Sequence, residues 1–215
     1  MIILTDLSEV LIHGMQGTEK IVEERYGERT GEKFYKRSIE TQELFLTLLR
    51  GNICEDVYWL DFIAEDYWPF NHIDAKEMFE QNLARPRIPG TLEVFKSIKA
   101  YPKKIGSKKM VEGHPQIYIV SDHILGRVKQ VKKMHPEVFE AVDGAFWSCD
   151  MGMVKSDKGF FDAVQESLGV ESDEIVFIDD WDKNTNAARR KRITSIDFRD
   201  SAQLMCELKE LGFKL

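Results

Sequence analysis

The sequence has few cysteines and no long apolar run. Only three of its 215 residues are cysteine, and none forms a C-x-x-C pair. A disulfide framework is therefore improbable, and a reducing compartment is expected. No apolar stretch approaches the roughly 18 residues that a membrane span needs. The apolar run at the N-terminus stops at Asp6, unlike a secretory signal. These absences predict a cytoplasmic protein without a membrane association.

The sequence also lacks an excess of positive charge. Thirty Lys and Arg residues face 37 Asp and Glu residues, for a net charge of -7. This balance argues against a nucleic-acid partner. The lysine-rich stretch 101–115 is the one basic run, and its four lysines have no interleaved aromatic residue beyond Tyr101. We interpret it as a solvated loop, although the sequence does not assign it a role.

Two nucleotide-binding fingerprints are missing as well. The sequence contains neither G-x-x-x-x-G-K-[ST] nor G-x-G-x-x-G. Their glycines bring the backbone close to phosphate groups, so their absence argues against P-loop and dinucleotide-binding enzymes.

Short apolar runs alternate with amphipathic stretches through most of the chain. Strands are predicted at residues 2–5, 117–120, 144–147, 174–178 and 196–198. Helices are predicted around residues 92–98, 124–134, 157–168, 187–188 and 204–211. This alternation predicts an α/β protein with a Rossmann-like, three-layer core, in which helices cover both faces of a mostly parallel sheet.

Residues 15–85 show a different pattern, with helical periodicity and no clear strand. Leu44, Phe45, Leu48 and Leu49 recur at helical spacing, and Asp74 with Glu77 predicts a capping box for a helix that contains Met78 and Leu83. The aromatic side chains of this block, Trp59, Tyr67, Trp68 and Phe70, are expected to form its core. The 215 residues correspond to about 1.4 domains of ordinary size. We therefore predict a core made of residues 1–14 and 86–215, with a small helical cap, residues 15–85, inserted into it.

Polar side chains stand where the predicted strands end. Asp6, Ser121 and the pair Asp179–Asp180 follow three strands, and Lys155 precedes a predicted helix. In open α/β sheets, ligands bind beyond the carboxyl ends of the strands. Clustered carboxylates repel each other unless a cation such as Mg²⁺ lies among them. A hydroxyl and an ammonium group suit phosphate oxygens. The pattern predicts phosphate chemistry, with an aspartate able to form an aspartyl-phosphate.

The order of these residues resembles the four motifs of the haloacid dehalogenase (HAD) superfamily of phosphohydrolases. The similarity covers nearly the whole chain and is greatest to its helical-cap branch, near sugar-phosphate phosphatases and the phosphatase domain of soluble epoxide hydrolases. The segments that carry it are ILTDLSEVLI (3–12), IYIVSD (117–122), GMVKSD (152–157) and FIDDWDKNTNAAR (177–189).

The resemblance implies a role for each matching residue. Asp6 is the expected nucleophile, with Ser121 and Lys155 as its catalytic partners on the phosphate. The implied Mg²⁺ ligands are Asp6, the backbone carbonyl of Ser8, Asp179 and Asp180, with Asp180 binding directly. The implied contacts to a small phosphorylated substrate come from Leu7, Ser8, Ser121, Asp122 and Lys155.

Ser8 departs from the pattern of these phosphatases, which usually carry an aspartate there as general acid and base. The loss of such a group costs roughly 10²–10⁴-fold in rate. Three consequences stay open: substrates with good leaving groups, such as anomeric or acyl phosphates; another proton carrier, from Glu9, Asp122 and His123; or a non-catalytic, regulatory protein. Dehalogenases of the superfamily also lack this aspartate, but they work without Mg²⁺, and the acid pair Asp179–Asp180 favours the metal.

Three further residues near the motifs have two readings each. Asn184 either orients the acids or substrate or stabilises a helix end. His13 either faces the site or is structural, and the structural reading is favoured. Trp181 either packs on the metal loop or covers the end of the sheet.

Overall fold

The computed structural model describes residues 1–13, 18–64, 67–81, 86–100 and 114–215. Five parallel strands form one sheet in the order β3-β2-β1-β4-β5. The strands are β1 (Ile2–Thr5), β2 (Gln116–Ser121), β3 (Gly144–Trp147), β4 (Ile175–Asp179) and β5 (Thr194–Asp197). The predicted α/β class and parallel sheet are confirmed.

The described residues contain twelve α-helices. Five lie between β1 and the rest of the sheet: α1 (Thr18–Tyr26), α2 (Glu28–Glu40), α3 (Gln42–Leu49), α4 (Glu55–Ala64) and α5 (His72–Gln81). The others are α6 (Thr91–Ala100), α7 (Val128–Met134), α8 (Pro136–Glu140), α9 (Ser148–Met151), α10 (Phe160–Leu168), α11 (Asp182–Arg190) and α12 (Ser201–Glu210). No helix among the described residues is both long and apolar enough to cross a membrane.

The central strands are continuous apolar runs because both faces of the sheet are covered. Every residue of β1 and β4 is buried. Successive side chains point to opposite faces, so Ile3 belongs to one apolar cluster and Leu4 to the other. Val176 and Phe177 divide between the two faces in the same way. A parallel sheet that is buried on both sides produces this three-layer architecture.

Helices α1–α5, hereafter the helical segment, enclose an apolar cluster of their own. Its centre is a set of aromatic rings in mutual contact, with Phe34 and Phe62 centroids 4.8 Å apart and Trp68 and Phe70 centroids 5.2 Å apart. The cluster also includes Ile124 and Val154, which belong to the sheet-bearing part of the chain. The aromatic residues therefore serve both the interior of the helical segment and its contact with the sheet. The division into core and cap at residues 14 and 86 stays a prediction.

The structure corrects several local predictions. The capping box of α5 consists of Asn71 and Asp74 rather than Asp74 and Glu77, because the helix begins at His72. Asn71 Oδ1 accepts hydrogen bonds from the backbone of Ile73 and Asp74, and the Asp74 carboxylate accepts one from Asn71 N. Leu83 lies outside the described residues, as do residues 101–113 of the lysine-rich stretch.

Other corrections concern the ends of elements and one aromatic side chain. Helix α10 begins at Phe160 rather than at residue 157, because the Asp157 side chain accepts from Val154 N and holds a turn there. A 3₁₀ turn, Leu125–Arg127, precedes α7 where a single helix was expected. Helices α8 and α9 were not predicted. Tyr67 is 88% exposed and thus not part of the apolar cluster.

Three ion pairs between described residues join the helical segment to the sheet-bearing part, and one of them is the 3.4 Å contact of Arg127 Nη1 with Glu80 Oε2 of α5. Arg127, after β2, contacts Glu55 of α4 with Nη2–Oε1 at 2.5 Å and Nε–Oε2 at 2.9 Å, and both side chains are over nine-tenths buried. Arg50, after α3, donates to both carboxylate oxygens of Asp157 at 2.9 and 2.8 Å. Ser148 Oγ adds a hydrogen bond to the carbonyl oxygen of Leu49 at 2.6 Å. Paired charges are required at such depth because an unpaired buried charge is costly.

Glu55→Gln is expected to destabilise the protein by about 3 kcal/mol, because it leaves the buried Arg127 guanidinium without its closest counter-charge. Urea unfolding measures this change in the free energy of unfolding. Asp56→Asn is the matched control, since Asp56 forms an ion pair with Lys76 on the surface and its loss should change stability little. Equal effects of the two substitutions would contradict a structural role of the buried pair.

Candidate active site

The predicted strand-end residues meet at the carboxyl edge of the sheet. Asp6 directly follows β1, and Asp179 ends the neighbouring strand β4, whose register pairs Ile178 with Thr5. Ser121 ends β2 on the other side of β1. Lys155 reaches the same point from the loop after α9. Its Nζ lies 2.7 Å from Asp6 Oδ2 and 2.7 Å from Asp179 Oδ2. The topology thus brings together residues separated by up to 173 positions in the chain.

The Asp6 carboxylate is held in one orientation. Its Oδ1 accepts a 2.7 Å hydrogen bond from Leu7 N, and its Oδ2 contacts the Lys155 ammonium. Asp6 is only 6% exposed. Burial is the largest effect on its pKa and raises it, the Lys155 charge opposes that rise, and the carboxylate of Asp179 adds to it. An additional cation beside Asp6 would favour the ionised form that a nucleophile requires.

Asp179 is fully buried and its carboxylate is well satisfied. Besides Lys155, Trp181 N donates to its Oδ1 at 2.9 Å, and Asn184 Nδ2 donates to Oδ1 and Oδ2 at 3.1 and 3.3 Å. Asn184 therefore orients an acid, which was one of its two predicted readings. Asp180 is less buried. Burial is the largest cause that raises its pKa to about 6, followed by the charge of Asp179.

The loop that carries Lys155 is fixed from two sides. Lys155 N donates to Asp122 Oδ1 at 2.9 Å, and Val154 N donates to Asp157 Oδ2 at 3.0 Å. Burial raises the pKa of Asp122, and the nearby Lys155 ammonium opposes this rise. For Lys155 itself, burial lowers the pKa, but the surrounding carboxylates outweigh it and the net direction is upward. The amine is therefore held in its charged form.

A cavity of about 520 Å³ opens above these groups. Predicted site residues that line it are Asp6, Ser8, Ser121, Asp122, Lys155 and Asp180. Leu7 and Asp179 do not line the cavity: the Leu7 side chain is in the apolar core and its N–H supports Asp6, while the fully buried Asp179 carboxylate accepts a hydrogen bond from Lys155. Ser121 Oγ is buried and has no hydrogen-bond partner among the described residues. A hydroxyl in that position is free to bind a ligand oxygen.

The carboxylates of Asp6, Asp179 and Asp180 form a possible metal site, with one oxygen of each lying within 4.8 Å of the others. These three acids and Asp122 surround a single ammonium group, so the site has excess negative charge. Hard carboxylate oxygens are the ligands that Mg²⁺ prefers. The donor set therefore fits Mg²⁺ in both chemistry and charge.

His123 and Trp181 have different positions at this edge. The His123 ring is buried against Trp147, with centroids 5.5 Å apart, and does not line the cavity. Burial, with a smaller effect of the Arg127 charge, lowers the His123 pKa to about 4. Trp181 lines the cavity and is 46% exposed. His13 Nδ1 lies 3.7 Å from Glu9 Oε2, and 44% of the His13 side chain is exposed.

Several residues that matter to this site were not found from the sequence. The same cavity as Asp6 is lined by Gln42, Phe45, Leu46 and Leu49 of α3, together with Phe79 of α5. Their i, i+3, i+4, i+7 spacing along α3 is visible in the sequence, but the same spacing is typical of an ordinary core-facing helix. The partners Glu55 and Arg127 are 72 residues apart, and no local pattern connects them.

Comparisons with known proteins agree with this fold. No family model matches the chain. A segment of 79 residues, 37% of the chain, is 30% identical to bifunctional epoxide hydrolase 2 of Rattus norvegicus, and this covers 14% of that protein. The HAD family enzyme bt-2542 of Bacteroides thetaiotaomicron, solved with magnesium and inorganic phosphate, superimposes with a TM-score of 0.66 at 18% identity, over 92% of this chain and 93% of that one.

L-2-haloacid dehalogenase of Xanthobacter autotrophicus superimposes with a TM-score of 0.65 at 13% identity, over 100% of this chain and 85% of that one. The chain therefore has the α/β fold of the HAD enzymes, and the resemblance seen in the four motifs is confirmed at the level of the fold. The fold is shared by phosphate-binding enzymes and dehalogenases, so the chemistry has to be argued from the site.

His123→Phe is expected to reduce the loss of stability in acid. The unfolded chain takes up a proton at His123 near pH 6.5, whereas the folded protein does so only near pH 4. The free energy of unfolding therefore falls as pH drops from 6.5 to 4, by about 3 kcal/mol in total for this group. Denaturant unfolding at pH 7 and pH 4.5 measures the difference between variant and wild type. The same substitution at exposed His114 is the control. An equal loss of unfolding free energy between pH 7 and pH 4.5 in His123→Phe and in wild type would contradict the lowered pKa of His123.

Proposed function

We propose that this protein is a Mg²⁺-dependent hydrolase of small phosphorylated metabolites that works through an aspartyl-phosphate on Asp6. The observation that carries the proposal is a buried carboxylate at the floor of a cavity, with the Lys155 ammonium 2.7 Å away and the partnerless hydroxyl of Ser121 beside it. The magnesium and phosphate held by the bt-2542 enzyme of the same fold support it.

Asp6 attacks phosphorus through a carboxylate oxygen, and the leaving oxygen departs with the bonding electrons of its P–O bond. Water then attacks the phosphorus of the aspartyl-phosphate, which releases inorganic phosphate and regenerates Asp6. Lys155 and Ser121 bind the phosphoryl oxygens and offset their charge. Catalysis of this kind depends on positioning and electrostatic stabilisation.

In this proposal Asp6, Asp179, Asp180 and the backbone carbonyl of Ser8 hold the Mg²⁺. When bound, the ion supplies positive charge that neutralises the phosphoryl oxygens and favours the ionised form of Asp6. Asn184 and Trp181 N hold the Asp179 carboxylate in place by hydrogen bonds to its Oδ1. Leu7 N–H fixes the Asp6 carboxylate, and Asp122 fixes the Lys155 backbone.

Ser8 supports a second candidate, a non-catalytic or regulatory protein on the same fold. Ser8 lines the cavity but its hydroxyl is no acid near neutral pH. A haloacid dehalogenase is the less favoured third candidate, because the adjacent acids Asp179 and Asp180 suit a cation and would repel the carboxylate of a haloacid. The same proposal includes a cytoplasmic location and a small phosphorylated molecule as the binding partner.

Asp6→Asn is expected to lower kcat on phosphate monoesters by at least about 10³-fold, because the amide is not a nucleophile. Phosphate release from a panel of monoesters measures this. Asp182→Asn, an exposed acid that does not line the cavity, is the matched control and should keep its activity. Turnover that survives in Asp6→Asn would exclude the mechanism. Release of halide from 2-chloropropionate in EDTA would favour the dehalogenase instead.

Mg²⁺ is expected to raise the melting temperature of wild type and of Asp182→Asn, but not of Asp180→Asn, because binding to the folded state stabilises it by mass action. Differential scanning calorimetry with MgCl₂ or EDTA measures the shift without any assay of activity. EDTA should also abolish turnover, and added Mg²⁺ should restore it. A wild-type protein whose melting temperature ignores Mg²⁺ would contradict the metal site, and metal binding without turnover on any phosphate would favour the non-catalytic candidate.

A further inference from the structure

We propose that the cavity selects phosphate monoesters with an aromatic leaving group, in preference to sugar phosphates. The proposal rests on the proposed function for its chemistry, and on the wall of the cavity opposite Asp6 for its selectivity. Two independent observations carry it: the side chains that the helical segment places in the cavity, and the absence of an acid at Ser8.

The wall opposite Asp6 is built mainly by one face of α3. Phe45, Leu46 and Leu49 line the cavity at successive helical positions, and Phe79 of α5 joins them. The ring centroids of Phe45 and Phe79 are 6.3 Å apart at an interplanar angle of 79°. The described part of the helical segment adds one polar side chain to this wall, the amide of Gln42, and no charged one.

This wall is a poor surface for a sugar. A hexose carries several hydroxyl groups, and each one buried without a partner costs about 1–3 kcal/mol. On this wall Gln42 is the one described side chain that could pair with them, because the other polar side chains that line the cavity, such as Ser8, Glu9, Ser156 and Asn184, belong to the sheet-bearing part of the chain. An aromatic ring has no such requirement, and ring pairs at 4.5–7 Å gain roughly 0.5–1.5 kcal/mol beyond their area burial. Trp181 supplies a further ring from the sheet side of the cavity.

The size of the cavity agrees with such a ligand. Its volume of about 520 Å³ lies within the roughly 300–1,000 Å³ that is usual for small-molecule sites. Asp6, Ser121 and Lys155 line the same cavity as the apolar residues of α3. The charged phosphate and the apolar ring of an aryl phosphate match these two sets of side chains.

The chemistry of the leaving group gives the second argument. When the P–O bond breaks, its electron pair stays on the leaving oxygen. Ser8 has no carboxyl proton to give, and a proton for an alcohol would have to come from Glu9 or Asp122, which also line the cavity. A phenolate needs none at that moment, since phenols such as tyrosine ionise near pKa 10, whereas simple alcohols are weak acids comparable to water at about 15.7. The phenolate takes its proton from bulk water after release. Asp6 forms the new O–P bond, and water later cleaves it.

The first test compares kcat/KM for 1-naphthyl phosphate, phenyl phosphate, n-hexyl phosphate and hexose 1- and 6-phosphates, with Mg²⁺ present. We expect the aryl esters to exceed the hexose phosphates by at least about 100-fold, which corresponds to two hydroxyl groups left unpaired at about 1.4 kcal/mol each. The n-hexyl ester should be bound well but turned over slowly. A hexose phosphate that equals or exceeds the aryl esters would overturn the proposal.

The second test changes the wall. Leu46→Gln should raise KM for 1-naphthyl phosphate about tenfold or more, with a smaller change in kcat, because it adds a polar group where the ring binds. Leu44→Gln is the matched control: it makes the same change two residues earlier, at a partly buried position that does not line the cavity. Equal KM values for the two variants, with both folded by circular dichroism, would overturn the assignment of this wall.

A binding measurement separates this proposal from the proposed function. Calorimetry compares phenylphosphonate with methylphosphonate, neither of which can be hydrolysed. Tighter binding of phenylphosphonate, lost in Leu46→Gln and kept in Leu44→Gln, would support the aromatic subsite even if no monoester were turned over, in which case the proposed function alone would fail. Binding of phenylphosphonate that is no tighter than that of methylphosphonate would overturn the aromatic subsite.

Discussion

One buried ammonium group holds this site together. The Lys155 Nζ lies between the carboxylates of Asp6 and Asp179, 2.7 Å from each, and almost no solvent reaches any of the three. Without it, two carboxylates at the ends of adjacent parallel strands would repel each other in a medium of low polarity. The two carboxylates need this cation, and the excess negative charge of the acids around Lys155 favours binding of a second cation. The sheet, the Lys155 loop and the cavity all depend on this balance.

The helical segment affects the geometry of the site because it is attached to the loops that carry the site residues. Arg50 binds Asp157, and the Asp157 carboxylate also accepts a hydrogen bond from Val154 N, next to Lys155. Arg127, in the segment that follows β2, binds Glu55 of α4. These links fix α3 relative to the Lys155 loop. The wall that faces Asp6 is therefore a property of the whole assembly, and a change in Arg50 or Glu55 would alter it without touching a ligand.

The fold of this protein does not by itself indicate which reaction its site supports. Enzymes that hold magnesium and phosphate and enzymes that bind haloacids share the same architecture. The adjacent acids Asp179 and Asp180 favour the metal, whereas Ser8 removes the usual proton donor. The apolar face of α3 then narrows the choice of leaving group. The proposed substrate class thus follows from three local features on a common scaffold.

The parallel sheet and the residues at the ends of its strands could be predicted from the amino-acid sequence alone. Buried strands appear as continuous apolar runs, and Asp6, Ser121 and Asp179 stop three of them. These patterns are local, as is the order of the four motifs. The sequence did not determine which face of α3 lines the cavity, because Phe45 and Leu46 have the same spacing as core residues. It also missed the pairing of Glu55 with Arg127 and the capping role of Asn71. These features depend on the tertiary structure, because contacts between distant residues are set by how the helices and strands pack and produce no periodic pattern in the sequence.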